Sequence, residues 1–187
     1  MNKLSKYGST IIIGLTLVGI VIFLIYGGII KKGNLANSNT NEGDIRYDFI
    51  SKVGLIAKEE FKEYGVYPSI TIAQAIIESG WGKSNLTKES NNLFGLKVDK
   101  NWDGDYLEFS VKNGTIKFRK YKSIDDSIAD YAKFIVETIG EEHVKESKNY
   151  KEQIEKLQIS RYFSDSNYST KIIELIEKYN LDDFDKI

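Results

Sequence analysis

"AQAIIESGWGKS", residues 73 to 84, runs an apolar helical pattern into a lone carboxylate, Glu78, and sets a tryptophan between two glycines directly behind it. A second glance at its flanks fixes the element. The segment follows the only proline, Pro68; Ser69 is the expected N-cap, Ile70 to Ser79 form the helix body, and Gly80 supplies the left-handed conformation that closes helices. A helix that only filled a core would have little use for a charge in its last turn.

Upstream, Phe49, Val53, Ile56, Ala57, Phe61 and Tyr64 recur at helical spacing, which predicts an amphipathic helix over 46–64 ended by Gly65. Residues 31–45, "KKGNLANSNTNEGDI", are rich in Asn, Gly and Ser without periodicity and read as a flexible tether, spanning roughly 20 Å as a coil. Before it, Thr10 to Ile30 is an uncharged apolar stretch of 21 residues, enough at 1.5 Å per residue to cross a hydrocarbon core of about 30 Å. Its length and the lack of a small-x-small site after it favour an uncleaved transmembrane anchor over a signal peptide. Lysines on both sides, Lys3 and Lys6 before and Lys31 and Lys32 after, give the positive-inside rule little to work with; the short segment 1–9 leans to the inside.

Downstream, Lys97 to Asp105 is polar and loop-like, and "YLEFSVKNGTIKFRKY", residues 106–121, switches to alternation around Asn113-Gly114. That is a hairpin signal. A two-residue turn at this pair would set Val111 opposite Ile116, Phe109 opposite Phe118 and Glu108 opposite Arg119. Leu107, Phe109, Val111, Ile116 and Phe118 would then share an apolar face, and Tyr106, Glu108, Ser110, Lys117, Arg119 and Tyr121 a polar one. Ser123 with Asp126 makes a capping box for a helix to about Thr138, and helical patterns follow at about 150–158 and 167–179. The expected fold is α+β and mostly helical, one domain over 46–187 with a single β-hairpin, preceded by the transmembrane helix.

Beyond the span, four of the 26 Lys and Arg drop out, leaving 22 against 27 Asp and Glu, a net charge near −5. That argues against a nucleic-acid partner. The chain has no cysteine, so disulfides and a thiol nucleophile are excluded. The single histidine, His143, lies in the polar stretch "GEEHVKESKNY" and reads as a surface residue; no structural zinc site is expected.

Glu78 stands where the helix macrodipole places partial negative charge, and Trp81 is near enough in sequence to cover it. Both disfavour the ionised form. A carboxylic acid that stays protonated near neutral pH is what glycosidic bond cleavage requires of a general acid. The plain alternative is a helix-terminal surface glutamate, and for Glu108 it is an ordinary cross-strand ion pair on a solvated face.

Further on, "AQAIIESGWGKSNL", "NNLFGLK", the hairpin ending "FRKYKS" and "RYFSDSNYSTKIIELIEKYNL" resemble, in order over about residues 46–185, the successive blocks of the glycoside hydrolase family 73 glucosaminidases. The resemblance implies a lysozyme-like fold and cleavage of the β-1,4 bond after N-acetylglucosamine in peptidoglycan, with no cofactor or metal. It places Glu78 at the general acid and Glu108 at the second carboxylate. Tyr162 in "RYFSD" is the first match to the family's important tyrosine and Tyr168 in "SNYST" the second. Relatives commonly carry Ala-Thr-Asp-Pro where this chain has Phe163, Ser164, Asp165 and Ser166. Trp81, Asn91, Asn92, Phe94, Tyr106, Arg119 and Tyr168 are the substrate-binding candidates, with Trp102 a further aromatic near them.

Two other readings of the same residues are a muramidase or lytic transglycosylase of this fold and a membrane-anchored glycan-binding protein without turnover. With the anchor, the expected setting is the cell membrane, single-pass, with the domain outside and peptidoglycan strands as its partner in wall remodelling.

Overall fold

The computed structural model describes residues 39–111, 114–160 and 166–186. The proposed span at 10–30 lies outside them, and among the described residues no helix is long and apolar enough to cross a membrane.

Helix α1 runs over Asn39–Tyr64. It begins well before Arg46, so residues 39–45 are helical and the expected tether does not reach 45. Its first turns carry no apolar face, so the periodicity of the sequence is silent there; once a helix is nucleated, extending it costs little. Gly65 ends it as expected, donating to the Phe61 carbonyl at 2.8 Å with φ +73°.

Helix α2, Pro68–Ser79, is the centre of the molecule. Every residue from Pro68 to Ile76 is buried. Ile70 and Ile72 are among its fully buried side chains, and truncating either to alanine is expected to cost about 2–5 kcal/mol. Around it pack Ile50 and Val53 of α1, Ile128, Tyr131 and Ile135 of α4 (Ile124–Ile139), Ile154 and Leu157 of α6 (Tyr150–Ile159) and Ile172 and Ile176 of α7 (Ser166–Tyr179). Two short helices complete the helical shell, α3 at Asn85–Ser90 and α5 at Glu141–Lys145. Exposed His143 sits in α5. Ser123 and Asp126 form the expected capping box at the start of α4.

The expected cap of α2 is corrected. Tyr67 is the N-cap residue, and Pro68 occupies the first turn, where its missing N–H is no loss. Ser69 lies inside the helix, and its N–H and hydroxyl donate to the Asp185 carboxylate at 2.8 and 2.7 Å. Asp185 ends a 3₁₀ helix, Leu181–Asp185, so a side chain 116 residues away caps the central helix. A serine following a proline satisfies the local cap pattern, but only the tertiary fold can bring a stronger acceptor.

The strands β1, Tyr106–Val111, and β2, Gly114–Arg119, pair antiparallel with Glu108 opposite Lys117, Phe109 opposite Ile116 and Val111 opposite Gly114. The register is therefore shifted by two residues from the expected one, with Lys112 and Asn113, both outside the described residues, between the strands. An even shift keeps each side chain on its face. Phe109, Ile116 and Phe118 pack with Leu86 of α3 in a small cluster separate from the main core.

Candidate active site

Glu78 sits where the buried helix α2 surfaces. The turn behind it explains the neighbouring residue types. Gly80, Trp81 and Gly82 have φ of +57°, +63° and +71°, three left-handed residues in succession. Glycine adopts this conformation freely, while Trp81 does so at a cost of about 1–2 kcal/mol. Buried Ser79 fastens the turn: its hydroxyl donates to the Ala75 carbonyl and accepts from Gly82 N–H at 2.7 Å, and its carbonyl accepts from Ser84 N–H at 2.9 Å. The Ser84 hydroxyl then caps α3.

Its carboxyl is raised to about 7 by burial, against which a hydrogen bond from Tyr168 works in the opposite direction. The Tyr168 hydroxyl donates to Glu78 Oε1 at 2.5 Å, a short contact between an α7 phenol and the α2 carboxyl. No charged side chain contributes to this shift among the described residues. An acid of this kind is half protonated at neutral pH and able to give its proton to a departing oxygen.

The Trp81 ring is packed edge-on against Phe49 and Tyr179, with the Arg46 guanidinium 5.3 Å from its centre. It closes the seam between α1 and α7. Of the two candidate tyrosines, Tyr168 meets Glu78, while Tyr162 lies outside the described residues.

Glu108 has a different setting. Half exposed on β1, it pairs with Lys117 Nζ at 3.1 Å, whose ammonium also lies 4.3 Å from the exposed Tyr106 ring. Tyr106 keeps an open aromatic surface on the hairpin's polar face.

Four of the expected substrate-binding residues are structural. Asn91 ends α3 with φ +56° and donates to the carbonyls of Tyr121 and Lys122. Asn92 is buried, its amide nitrogen bonding to the carbonyls of Leu96 and Arg119 and its oxygen to Leu96 N–H. Phe94 is core, stacked on Tyr131 at 3.9 Å. Arg119 is buried, with Nη1 on Asp130 at 2.7 Å, Nη2 on Asp99 at 2.8 Å, Nε on the Lys97 carbonyl, and the Trp102 ring against its plane at 4.9 Å. Tyr121 adds a bond to the same Asp130 oxygen. These groups fix the base of the hairpin to α4 and the 97–105 loop. Their polar heads suggested sugar contacts, but backbone carbonyls and carboxylates already satisfy them.

The sequence also concealed two residues. Gln74 stands one turn before Glu78, buried and with its Oε1 unpartnered, and the buried Tyr131 hydroxyl from α4 is pushed up first by burial and then by the nearby Glu78. Gln74 was visible as an amide in an otherwise apolar run; Tyr131 was hidden in the helical spacing of a core face.

Among the described residues no group of His, Cys, Asp and Glu is arranged to hold a metal.

The sequence profile of the glucosaminidase family, described as mannosyl-glycoprotein endo-beta-N-acetylglucosaminidase, matches residues 54–181. The exo-glucosaminidase LytG of Bacillus subtilis is 38% identical over 164 residues, covering 81% of this chain and 57% of LytG. The peptidoglycan hydrolase FlgJ of Vibrio parahaemolyticus is 32% identical over 167 residues, covering 80% and 53%. The chain thus spans little more than half the length of these curated relatives. In structure it is similar to the catalytic domain of the autolysin Auto from Listeria monocytogenes, with TM-score 0.62 and 30% identity over 82% of this chain and 100% of that one. The glycoside hydrolase domain of Salmonella typhimurium FlgJ gives 0.63 and 27% over 72% and 88%. The profile match across about two thirds of the chain places this protein in the glucosaminidase family of glycoside hydrolases, family 73.

Proposed function

We propose that the domain hydrolyses the β-1,4 bond after N-acetylglucosamine in peptidoglycan glycan strands. The observation that carries this reading is the Glu78 carboxyl, held near 7 by burial and bonded to Tyr168, in a chain of the glucosaminidase family. Glu78 protonates the glycosidic oxygen as the bond breaks. Glu108 supports the oxocarbenium-like transition state or holds the attacking water, and Tyr106 offers a face to a sugar ring. Because Glu108 rides on a hairpin and Glu78 on a buried helix, their separation changes when the arm closes over glycan. A bound-glycan structure with the same separation as the free protein would count against that motion.

Thr10–Ile30 anchors the chain in the cell membrane with the domain outside, confining it to glycan near the membrane surface. Protease added to intact cells or spheroplasts should then reach the domain, and protection would remove this role.

The test of the activity is mass spectrometry of the reducing ends released from purified peptidoglycan by the full chain in detergent, beside Glu78→Gln. N-acetylglucosamine at the new ends, lost in the variant, is expected. N-acetylmuramic acid or its anhydro form would assign a muramidase or transglycosylase, and no release would leave a glycan-binding protein. The likeness to an exo-acting relative favours a second mode, release from chain ends. Single disaccharides from the first time point indicate that mode, and a falling ladder of long fragments the internal one.

A further inference from the structure

We propose that Lys117 is a positioning residue for Glu108: its ammonium ties that carboxylate to Tyr106, so that the charge and the ring offered to a sugar are presented to the glycan as one unit. The inference deepens the reading of Glu108 as the second carboxylate and rests on it. The contacts are direct. Lys117 stands opposite Glu108 across the strands, and Tyr106, two residues before Glu108, lies on the same face. Lys117 Nζ is 3.1 Å from Glu108 Oε1, donates to the Tyr106 hydroxyl oxygen at 3.3 Å and lies 4.3 Å from the centre of that ring.

The backbone decides which of the two charged partners is the steadier. Among the described residues β1 pairs with β2 and has no strand on its other side. β2 is held from both sides: Lys97 bridges Phe118, Val98 N–H donates to the Lys117 carbonyl at 3.0 Å, and Arg119 N–H donates to the Leu96 carbonyl at 2.9 Å. The lysine therefore starts from the better-fixed strand and meets a glutamate on the edge. Arg119, the other cation of this face, is drawn into the foot of the arm by Asp130 and Asp99. Among the described residues Lys117 is the only cation in an ion pair with Glu108.

An ammonium has three N–H donors. One meets Glu108 Oε1 and one the Tyr106 oxygen, and these bonds push the ammonium up, Glu108 first, so that it stays charged. Glu108 Oε2 and the phenolic proton are left for the glycan or the attacking water. A single ion pair or a single cation–ring contact on an exposed face holds a side chain weakly. Here both fall on one ammonium, with a hydrogen bond to the ring's own hydroxyl, which confines Glu108 to the rotamer beside Tyr106. The fold does not call for this arrangement, since both charged side chains are half exposed.

The experiment has two arms, both on the full chain in detergent. The first needs no activity. Three-bond NMR couplings about the Glu108 Cα–Cβ bond should report one rotamer in the parent protein and in Lys117→Arg, and averaging among rotamers in Lys117→Met. Averaging in the parent, or the same single rotamer in Lys117→Met, would overturn the proposal. The second arm measures peptidoglycan digestion by these variants, alone and in a Glu108→Gln background. Lys117→Met should lower kcat by about three- to fivefold, the scale of an exposed ion pair, with KM nearly unchanged, and Lys117→Arg should recover most of the loss. In the Glu108→Gln background the lysine substitution should add almost nothing, because its effect runs through that carboxylate. No loss in kcat, an equal loss in both backgrounds, or a change in KM alone would each refute the positioning role. If the parent digests no peptidoglycan, the proposed function falls, and the rotamer arm still decides whether Lys117 holds Glu108.

Discussion

Glu78 ends a helix buried on nearly all sides, whereas Glu108 stands midway along an arm whose outer face is open to solvent. The first carboxyl is shaped by the core: burial raises it to about 7, a phenol is bonded to it, and no cation neutralises it among the described residues. The second has a lysine beside it and water around it. Proton donation at a glycosidic oxygen needs an acid that resists ionisation, and only a dry, well-packed site supplies one. Charge support or water handling needs an ionised group that can approach the substrate, which a projecting hairpin offers. Under the proposed function, this difference gives one small domain two roles from the same residue type.

The largest way to break the comparison is Glu78→Gln. Loss of the proton donor is expected to lower peptidoglycan digestion by about 10³ to 10⁴-fold. The same change should stabilise the fold, because ionisation of Glu78 opposes folding. The sign follows from a folded-state value near 7 against an ordinary 4.5: the favourable neutral form is intact below about pH 4.5, and its advantage is lost as pH rises through 7. Denaturant unfolding at pH 8 should find the variant more stable by about 2–3 kcal/mol, with no gain at pH 4. In the parent enzyme, kcat/KM should fall about tenfold per pH unit above pH 7. A rate that is flat from pH 6 to 9, or a variant no more stable at pH 8, would mean Glu78 is not the desolvated acid of this pair.

Next in size is the foot of the arm. Arg119→Met leaves Asp130 without its guanidinium in a largely buried site and frees the more exposed Asp99, and about 3 kcal/mol of stability should be lost. Because Asp130 belongs to α4, the whole domain should melt earlier in one transition. An unchanged main transition with a separate early one would show that the arm unfolds independently of the core. The contrast between the two carboxyls would then be one between separate cooperative units.

How much of this was legible in the sequence depended on the range of the interaction. The Ser123–Asp126 capping box and the left-handed Gly80 involve neighbours a few residues apart, and both stand as read. The α2 cap was misread because Asp185 comes from the far end of the chain. The hairpin faces were right and its register was not. Asn113-Gly114 satisfies a turn pattern, but the pairing of Val111 with Gly114 puts the glycine at the start of β2. The raised carboxyl of Glu78 follows from its place on an apolar helix, which the sequence displays. Asn91, Asn92 and Arg119, read as substrate-binding candidates, have their polar groups held by backbone carbonyls and carboxylates, and Phe94 is packed in the core; a sequence shows which groups are present and not what already holds them.

The smallest effect, and the one that sharpens the contrast most, belongs to Glu108→Gln. On an exposed face its pair with Lys117 contributes little to folding, so melting should be unchanged within about 1–2 °C. Activity should still fall, by about 10- to 100-fold and in kcat more than in KM, if the carboxylate acts on the transition state and not on the bound ground state. Lys117→Met is the companion measurement. It removes the same ion pair and leaves Glu108 charged, so a matching loss of activity would assign the effect to the pair's geometry, while near-normal activity would assign it to the carboxylate itself. A large drop in stability from either change would place Glu108 in the same structural class as Glu78, and the division of labour between buried helix and exposed arm would not hold.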